Sequence, residues 1–335
     1  MDQILRGLVT LVIAMVLVGV TTVVSLLKVV AANPTSNNFA TTYQAKSNTS
    51  ATKANQNSIQ TKISVVASFF PIYEFVKAVG GNRIDASTLI PIGIEPHNFD
   101  PTIQEIQKAN SANLLVYNGA SMEEPWIHNL TPQNEVDTSK GIKLLANPSD
   151  PDIKGPNDPH IWLDPMLAIQ QVQNIRDGLD KLDPRNTGYY DQNAQNFIEQ
   201  LNKLDVAFKG NLTSSNCAKR DFIPFHLAFG YFAPHYGLTQ HPIREGLTPS
   251  GEVLPQKLVD VVNLAKNLGL KVIYNEDLID PRSAQTIAEQ IPGTKVMVLS
   301  PVERINATEQ NAGIGYIDKM YQDLSALKVG LQCKT

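Results

Sequence analysis

Hydrophobic and polar positions divide the chain into three stretches. From Gly7 to Leu27 no residue is charged, and Val, Leu, Ile and Met dominate. A run of that length can cross a bilayer core of about 30 Å. From Asn33 to about Lys62 the chain is Ser, Thr, Asn, Gln and Ala with little apolar content. It cannot bury enough surface to offset its ordering entropy, so it reads as a tether. From Ile63 onward, short continuous apolar runs alternate with segments of helical spacing.

That alternation predicts the elements. Ile63–Phe70 reads as a buried strand closed by Pro71, and 72–79 as a helix stopped by Gly80-Gly81. Ile84–Ile90 is a second strand, 102–110 a helix, and 114–117 and 141–146 further strands. Asp164 caps a helix that opens at Pro165 and runs to about Leu182. Behind Asp183-Pro184, the residues Tyr190, Ala194, Phe197, Leu201, Leu204 and Phe208 form one unbroken helical stripe ending near Gly210. The second half repeats the alternation: strands at 222–225, 271–274 and 295–299, helices at 227–235, 255–268, 281–291 and 317–329. Strands alternating with helices imply an α/β fold built on parallel sheets flanked by helices, with ligands bound beyond the carboxyl ends of the strands.

Composition narrows the function classes. The chain has 335 residues and a formal net charge of -4. It carries no basic patch, which argues against nucleic acid as a partner. Walker-type and dinucleotide-type glycine loops are absent from the sequence. Its two cysteines, Cys217 and Cys333, are not in a CxxC arrangement, so a thiolate zinc site is not expected. Outside the cytoplasm they could pair; two free thiols are the alternative. The N-terminal run is longer than the apolar core of an ordinary signal peptide and no Cys follows it, so an uncleaved signal-anchor is expected, with cleavage near Val30-Ala31-Ala32 as the alternative.

The candidate chemistry lies in three histidine motifs. Asn157-Asp158-Pro159-His160-Ile161-Trp162-Leu163-Asp164-Pro165 places a histidine in a run that two prolines hold away from helix. Glu95-Pro96-His97-Asn98-Phe99-Asp100-Pro101 repeats the device just after a predicted strand. Phe225-His226-Leu227-Ala228-Phe229-Gly230-Tyr231-Phe232 supplies a third histidine at a strand end. His128, His235 and His241 stand in contexts that favour ordinary polar roles.

These three motifs in this order, with Leu114-Leu115-Val116-Tyr117-Asn118-Gly119 and Val272-Ile273-Tyr274-Asn275-Glu276, resemble the zinc- and manganese-binding solute-binding proteins of ABC importers, the TroA/ZnuA-like family. The resemblance covers everything from Ile63 on. It implies two α/β lobes, 63–183 and 211–335, joined by one long rigid helix, 184–210. Ahead of them stand a transmembrane anchor, 1–32, and the tether, 33–62. It also implies one metal ion in the cleft between the lobes, bound by His97, His160 and His226. Three imidazoles suit Zn²⁺ better than Mn²⁺, which prefers oxygen ligands. The implied role is capture of the ion outside the cytoplasm by a membrane-tethered monomer and delivery to an ABC-type permease.

Two departures from the family pattern stand out. Where relatives often supply an Asp as fourth ligand, this chain has Ser300, which leaves Glu303, Glu276 or water for that position. The His-rich loop that many zinc members carry between their first two metal histidines has no histidine here, from Asn134 to Asn157. A zinc hydrolase with three histidines and a bound water is the rival class, although no HExxH motif supports it and no catalysis is expected. A surface adhesin on the same fold is a third.

Overall fold

The structure, a computed structural model, describes residues 62–147 and 155–334. The first half is organised on a four-stranded parallel sheet. Its strands are β1 (Ile63–Ala67), β2 (Ile84–Thr88), β3 (Leu114–Tyr117) and β4 (Glu135–Asp137), in the order β2-β1-β3-β4. Helix α1 (Phe70–Gly80) follows β1 with Pro71 in its first turn, where the missing N–H is no loss. Helix α2 (Ile103–Ser111) opens on a capping box formed by Thr102 and Glu105. Helix α3 (Pro165–Leu182) is capped by Asp164, whose carboxylate accepts the Met166 N–H at 2.8 Å.

A 3-10 turn at Pro184–Asn186 leads into α4 (Thr187–Asn211), the longest described helix. All six residues of the stripe read from the sequence are buried along it, and α4 packs against both α3 and α1. The second half holds two parallel pairs. Strand β5 (Asp221–Phe222) pairs with β6 (Thr239–Gln240), and β7 (Val272–Asn275) pairs with β8 (Lys295–Val298). The two pairs are separate sheets, linked where the Tyr274 N–H donates to the Ile223 carbonyl at 2.9 Å. Around them lie α5 (Phe232–His235), α6 (Pro255–Leu268), α7 (Arg282–Glu289), α8 (Ala307–Asn311) and α9 (Tyr316–Gly330).

The described residues fall within one compact unit, Ile59–Thr335. One apolar core draws on both halves: Val65, Phe75 and Val116 share it with Phe208, Tyr274 and Leu327. α9 reaches back to the first half. Its Tyr316 ring sits edge-on to Phe75, with centroids 4.8 Å apart, and its hydroxyl donates to the Trp162 carbonyl at 2.6 Å. Cys217 and Cys333 form a disulfide that ties the segment after α4 to the segment after α9.

Several expectations need correction. The strand expected at 141–146 is irregular, and the fourth strand is Glu135–Asp137 instead. Gly141 takes φ 82°, which breaks the strand, and Ile142 and Leu144 pack on Ala120, Ile161 and Tyr231 instead of pairing. The helix expected at 227–235 is helical only over its last four residues, because the Ala228 N–H closes a tight turn on the His226 carbonyl at 3.0 Å and the Phe229 N–H donates to the side-chain carbonyl of Gln240 at 3.1 Å. No helix among the described residues is long and apolar enough to cross a membrane. The expected anchor and the tether through residue 61 lie outside the described residues.

Candidate metal centre

Every functional side chain stands on a loop that leaves the carboxyl end of a strand. The loop after β2 carries His97. Pro91 and Pro96 close its turns by accepting the Ile94 and Phe99 N–H groups, and Glu95 Oε1 accepts the His97 N–H at 3.2 Å. The His160 segment is held by the loop after β3: Asn118 Nδ2 donates to the Pro159 carbonyl at 3.0 Å. Trp162 then fixes its exit, donating from Nε1 to the Pro301 carbonyl at 2.8 Å.

His226 leaves β5 on a loop that closes against the His160 segment. Gly230 permits this approach, since a Cβ there would lie 2.5 Å from Asp158 Oδ2. The Tyr231 hydroxyl donates to the Asp158 carbonyl at 2.8 Å. Glu303 follows β8. Ser300 Oγ accepts the Val302 N–H at 3.1 Å, and Val302 turns the chain through φ 56° to aim Glu303 inward.

These loops bring His97, His160, His226 and Glu303 together, with one ligand atom from each within 4.8 Å of all the others. Glu303 Oε1 lies 3.1 Å from His97 Nε2, 3.2 Å from His160 Nε2 and 3.5 Å from His226 Nε2. His160 Nε2 and His226 Nε2 are 3.2 Å apart. A tetrahedral zinc with bonds near 2.0–2.1 Å has ligand–ligand edges of about 3.3–3.4 Å. The four measured edges bracket that value.

The outer contacts set the tautomers. His160 Nδ1 lies 2.8 Å from Asp158 Oδ1, and His226 Nδ1 is hydrogen-bonded to Glu276 Oε1. Each carboxylate accepts the Nδ1–H of its imidazole, which turns both Nε2 atoms inward, where each offers a lone pair once its proton is displaced. Two lone pairs facing each other across 3.2 Å repel unless a cation or a proton lies between them. That juxtaposition is what a metal centre requires.

Electrostatics agree. Burial pulls the His97 imidazolium down, more than the Glu303 charge lifts it. For His160, burial is outweighed by the hydrogen bond and charge of Asp158, and its pKa rises. For His226, burial is outweighed by Glu276 and then Glu303, and its pKa rises to about 10. Burial would lift Glu303, but the surrounding imidazoles hold it well below the usual carboxylate range.

The structure sorts the residues singled out from the sequence. The three histidines and Glu303 meet; Glu276 stands behind His226 as its hydrogen-bond acceptor, outside the cluster. Asp158 was missed as an orienting group, although its place two residues before His160 was a usable signal, because a short carboxylate reaches an N–H two residues on. Here it accepts the His160 N–H at 3.0 Å as well. The other histidines are engaged elsewhere: His128 with Glu124, His235 with Asp164 and His241 with Asp221.

Parallel sheets whose loops converge on a buried histidine–carboxylate centre define a class of α/β metal-site proteins. The family described as zinc-uptake complex component A, periplasmic (ZnuA) matches residues 65–330, and the chain belongs to it. The high-affinity zinc uptake system protein ZnuA of Bacillus subtilis is 37% identical over 301 residues, covering 85% of this chain and 93% of that protein. The crystal structure of Zn(II)-bound AdcA from Streptococcus pneumoniae is similar at 31% identity and TM-score 0.72, over 82% of this chain but only 59% of AdcA. The laminin-binding protein Lmb of Streptococcus agalactiae, described as having adhesin and metal-transporting activity, is similar at 30% identity and TM-score 0.72, over 81% of this chain and 100% of Lmb.

Proposed function

We propose that this chain is the solute-binding component of a zinc importer, with Zn²⁺ as its cargo. His97, His160, His226 and Glu303 bind the ion, and Asp158 and Glu276 orient two of the imidazoles. The observation that carries this reading is the pair of inward Nε2 atoms 3.2 Å apart, each backed by a carboxylate on Nδ1. Three nitrogens and one oxygen, with four of their six edges close to tetrahedral spacing, suit Zn²⁺ better than Mn²⁺. Residues 63–183 and 211–335 act as two lobes about the ion, with the helix across 184–210 between them. The Cys217–Cys333 disulfide supports a position outside the reducing cytoplasm. There the apolar run at the N-terminus would anchor the carrier, and an ABC-type permease would receive the ion.

The protein changes the ion's surroundings without performing a reaction on it. Each inward Nε2 replaces a water of the hydrated ion, and Glu303 contributes a charged oxygen. A catalytic zinc keeps one position open for water. In this reading Glu303 fills it, which favours a carrier over the hydrolase. An adhesin role, as named for Lmb, would use the same centre and differ in its partner.

The test is competition with a chromophoric zinc chelator, on the full chain and on single variants. One ion per chain is expected, with His97→Ala, His160→Ala and His226→Ala each weakening binding by orders of magnitude while the metal-free protein still melts cooperatively. Unchanged affinity in any of the three would remove that residue from the centre. A preference for Mn²⁺ would overturn the assignment of zinc.

A further inference from the structure

Arg304 follows Glu303 directly, yet its guanidinium turns back to two other loops. One nitrogen, Nη1, lies 3.1 Å from Glu95 Oε2, and the other oxygen of Glu95 holds the His97 N–H. The second nitrogen, Nη2, donates to the Asp277 carbonyl at 3.1 Å. Asp277 is the neighbour of Glu276, which orients His226. The Asp277 carboxylate is itself fixed by Lys319 Nζ at 2.7 Å, and that buried ammonium also reaches Glu309 Oε1 at 2.9 Å. A single side chain therefore ties together the loops of His97, Glu276 and Glu303.

A second observation says what the tie controls. A cavity of about 350 Å³ opens on this side of the centre, lined by Glu303 and Arg304 together with Phe70, Glu74, Ile90 and Ile94. Of the four residues of the centre, Glu303 alone borders it; the three histidines do not. All four are buried. Among the described residues, Glu303 is thus the member of the centre that stands at this cavity, and the residue next to it in the chain holds Glu95 and Asp277.

We infer that Arg304 is a positioning residue that sets how fast the ion escapes. It clasps three ligand-bearing loops and keeps Glu303 closed against the cavity. The planar guanidinium matters because it addresses Glu95 and Asp277 from two separate nitrogens of one rigid fork, a span that the donors of a lysine, which share a single nitrogen, do not reproduce. This inference rests on the four-residue zinc centre proposed above.

The experiment follows zinc release by stopped flow, with excess chelator trapping the ion from zinc-loaded full chain. Arg304→Gln should accelerate release by at least about tenfold, the usual effect of removing an outer support of a metal site. Association should change by less than about threefold, since most affinity differences between related complexes lie in the off-rate. Arg304→Lys should fall between Arg304→Gln and the parent. The double variant Glu95→Gln with Arg304→Gln should release no faster than Arg304→Gln alone, because one clasp cannot be broken twice. The melting temperature of the metal-free variants separates this role from a merely structural one, which would lower melting and leave release untouched. If parent and Arg304→Gln chains each bind one zinc and release it at the same rate, the clasp is refuted while the centre stands. Accelerations that multiply in the double variant would also refute it. Should Arg304→Gln fail to fold, parental release from Arg304→Lys and Glu95→Gln would count equally against it. A parent chain that binds no zinc would overturn both readings.

Discussion

Val302 sits at φ 56°, a region that costs a β-branched residue roughly 1–2 kcal/mol. The structure over-determines it: the side chain is buried in the main core, and its N–H is held by Ser300 Oγ. The Ser300 N–H in turn donates to Asp323 Oδ1 at 2.7 Å, and burial pushes the Asp323 carboxyl well above its ordinary range. Ser300 thus has a turn-forming role and stands outside the centre. With Glu303 as fourth ligand, Ser300→Asp has no vacant corner to fill; affinity should not rise, and the added carboxylate beside Asp323 should lower the melting temperature. A tighter-binding Ser300→Asp would show that the fourth corner is open.

Protons compete with zinc at this centre, and the direction follows from the shifts. His226 rises from 6.5 to about 10 in the fold, so its charged form adds stability that is complete below pH 6.5 and lost as pH climbs through 10. His97 shifts the other way, so its contribution is present above pH 6.5 and lost on acidification. The metal-free protein should therefore lose stability between pH 7 and 10 in thermal melts. Zinc must displace the His226 proton, so affinity should climb across that same range. Calorimetry in buffers of different ionisation heat should detect proton release near pH 7.5; none detected would contradict the assignment of His226. The three histidines were legible because prolines and strand ends framed them. The aim of Glu303 was not, because it depends on a left-handed valine and a carboxylate on a helix far along the chain.

Among the elements, the long helices were readable and the shortest strands were not. The stripe from Tyr190 to Phe208 repeats a helical period over many turns, and burial follows it residue by residue. β4 and β5 span three and two residues, too few for a period to accumulate, and neighbouring strands define them more than their own side chains do. The failure at 227–231 has the same root: close approach at Gly230 and the distant side-chain carbonyl of Gln240 override a plausible helical pattern. Because α4 takes part in the shared core, Leu201→Ala, at a fully buried position, should cost about 2–5 kcal/mol of metal-free stability in denaturant titrations. Zinc affinity at temperatures where the variant is folded should change little. A cost below about 1 kcal/mol would show that the stripe does not carry the packing assigned to it.

For the whole molecule, the disulfide closes a separation of 116 residues, which chain entropy values at up to about 5 kcal/mol. Cys217→Ser with Cys333→Ser should lower metal-free stability by a few kcal/mol while leaving one zinc bound per chain. Loss of zinc binding in a folded double variant would mean that the bridge also shapes the centre. The shared core has a further consequence, for recognition. Since Val65, Phe208, Tyr274 and Leu327 belong to one apolar cluster, swinging the halves apart would tear it open at a cost comparable to unfolding. Loaded and empty molecules should then differ in amide hydrogen exchange only at the loops around 91–101, 157–164, 226–231, 276–280 and 300–305, with α4 unchanged. A receptor that admits full carriers and turns away empty ones would have only those five loop tips to read.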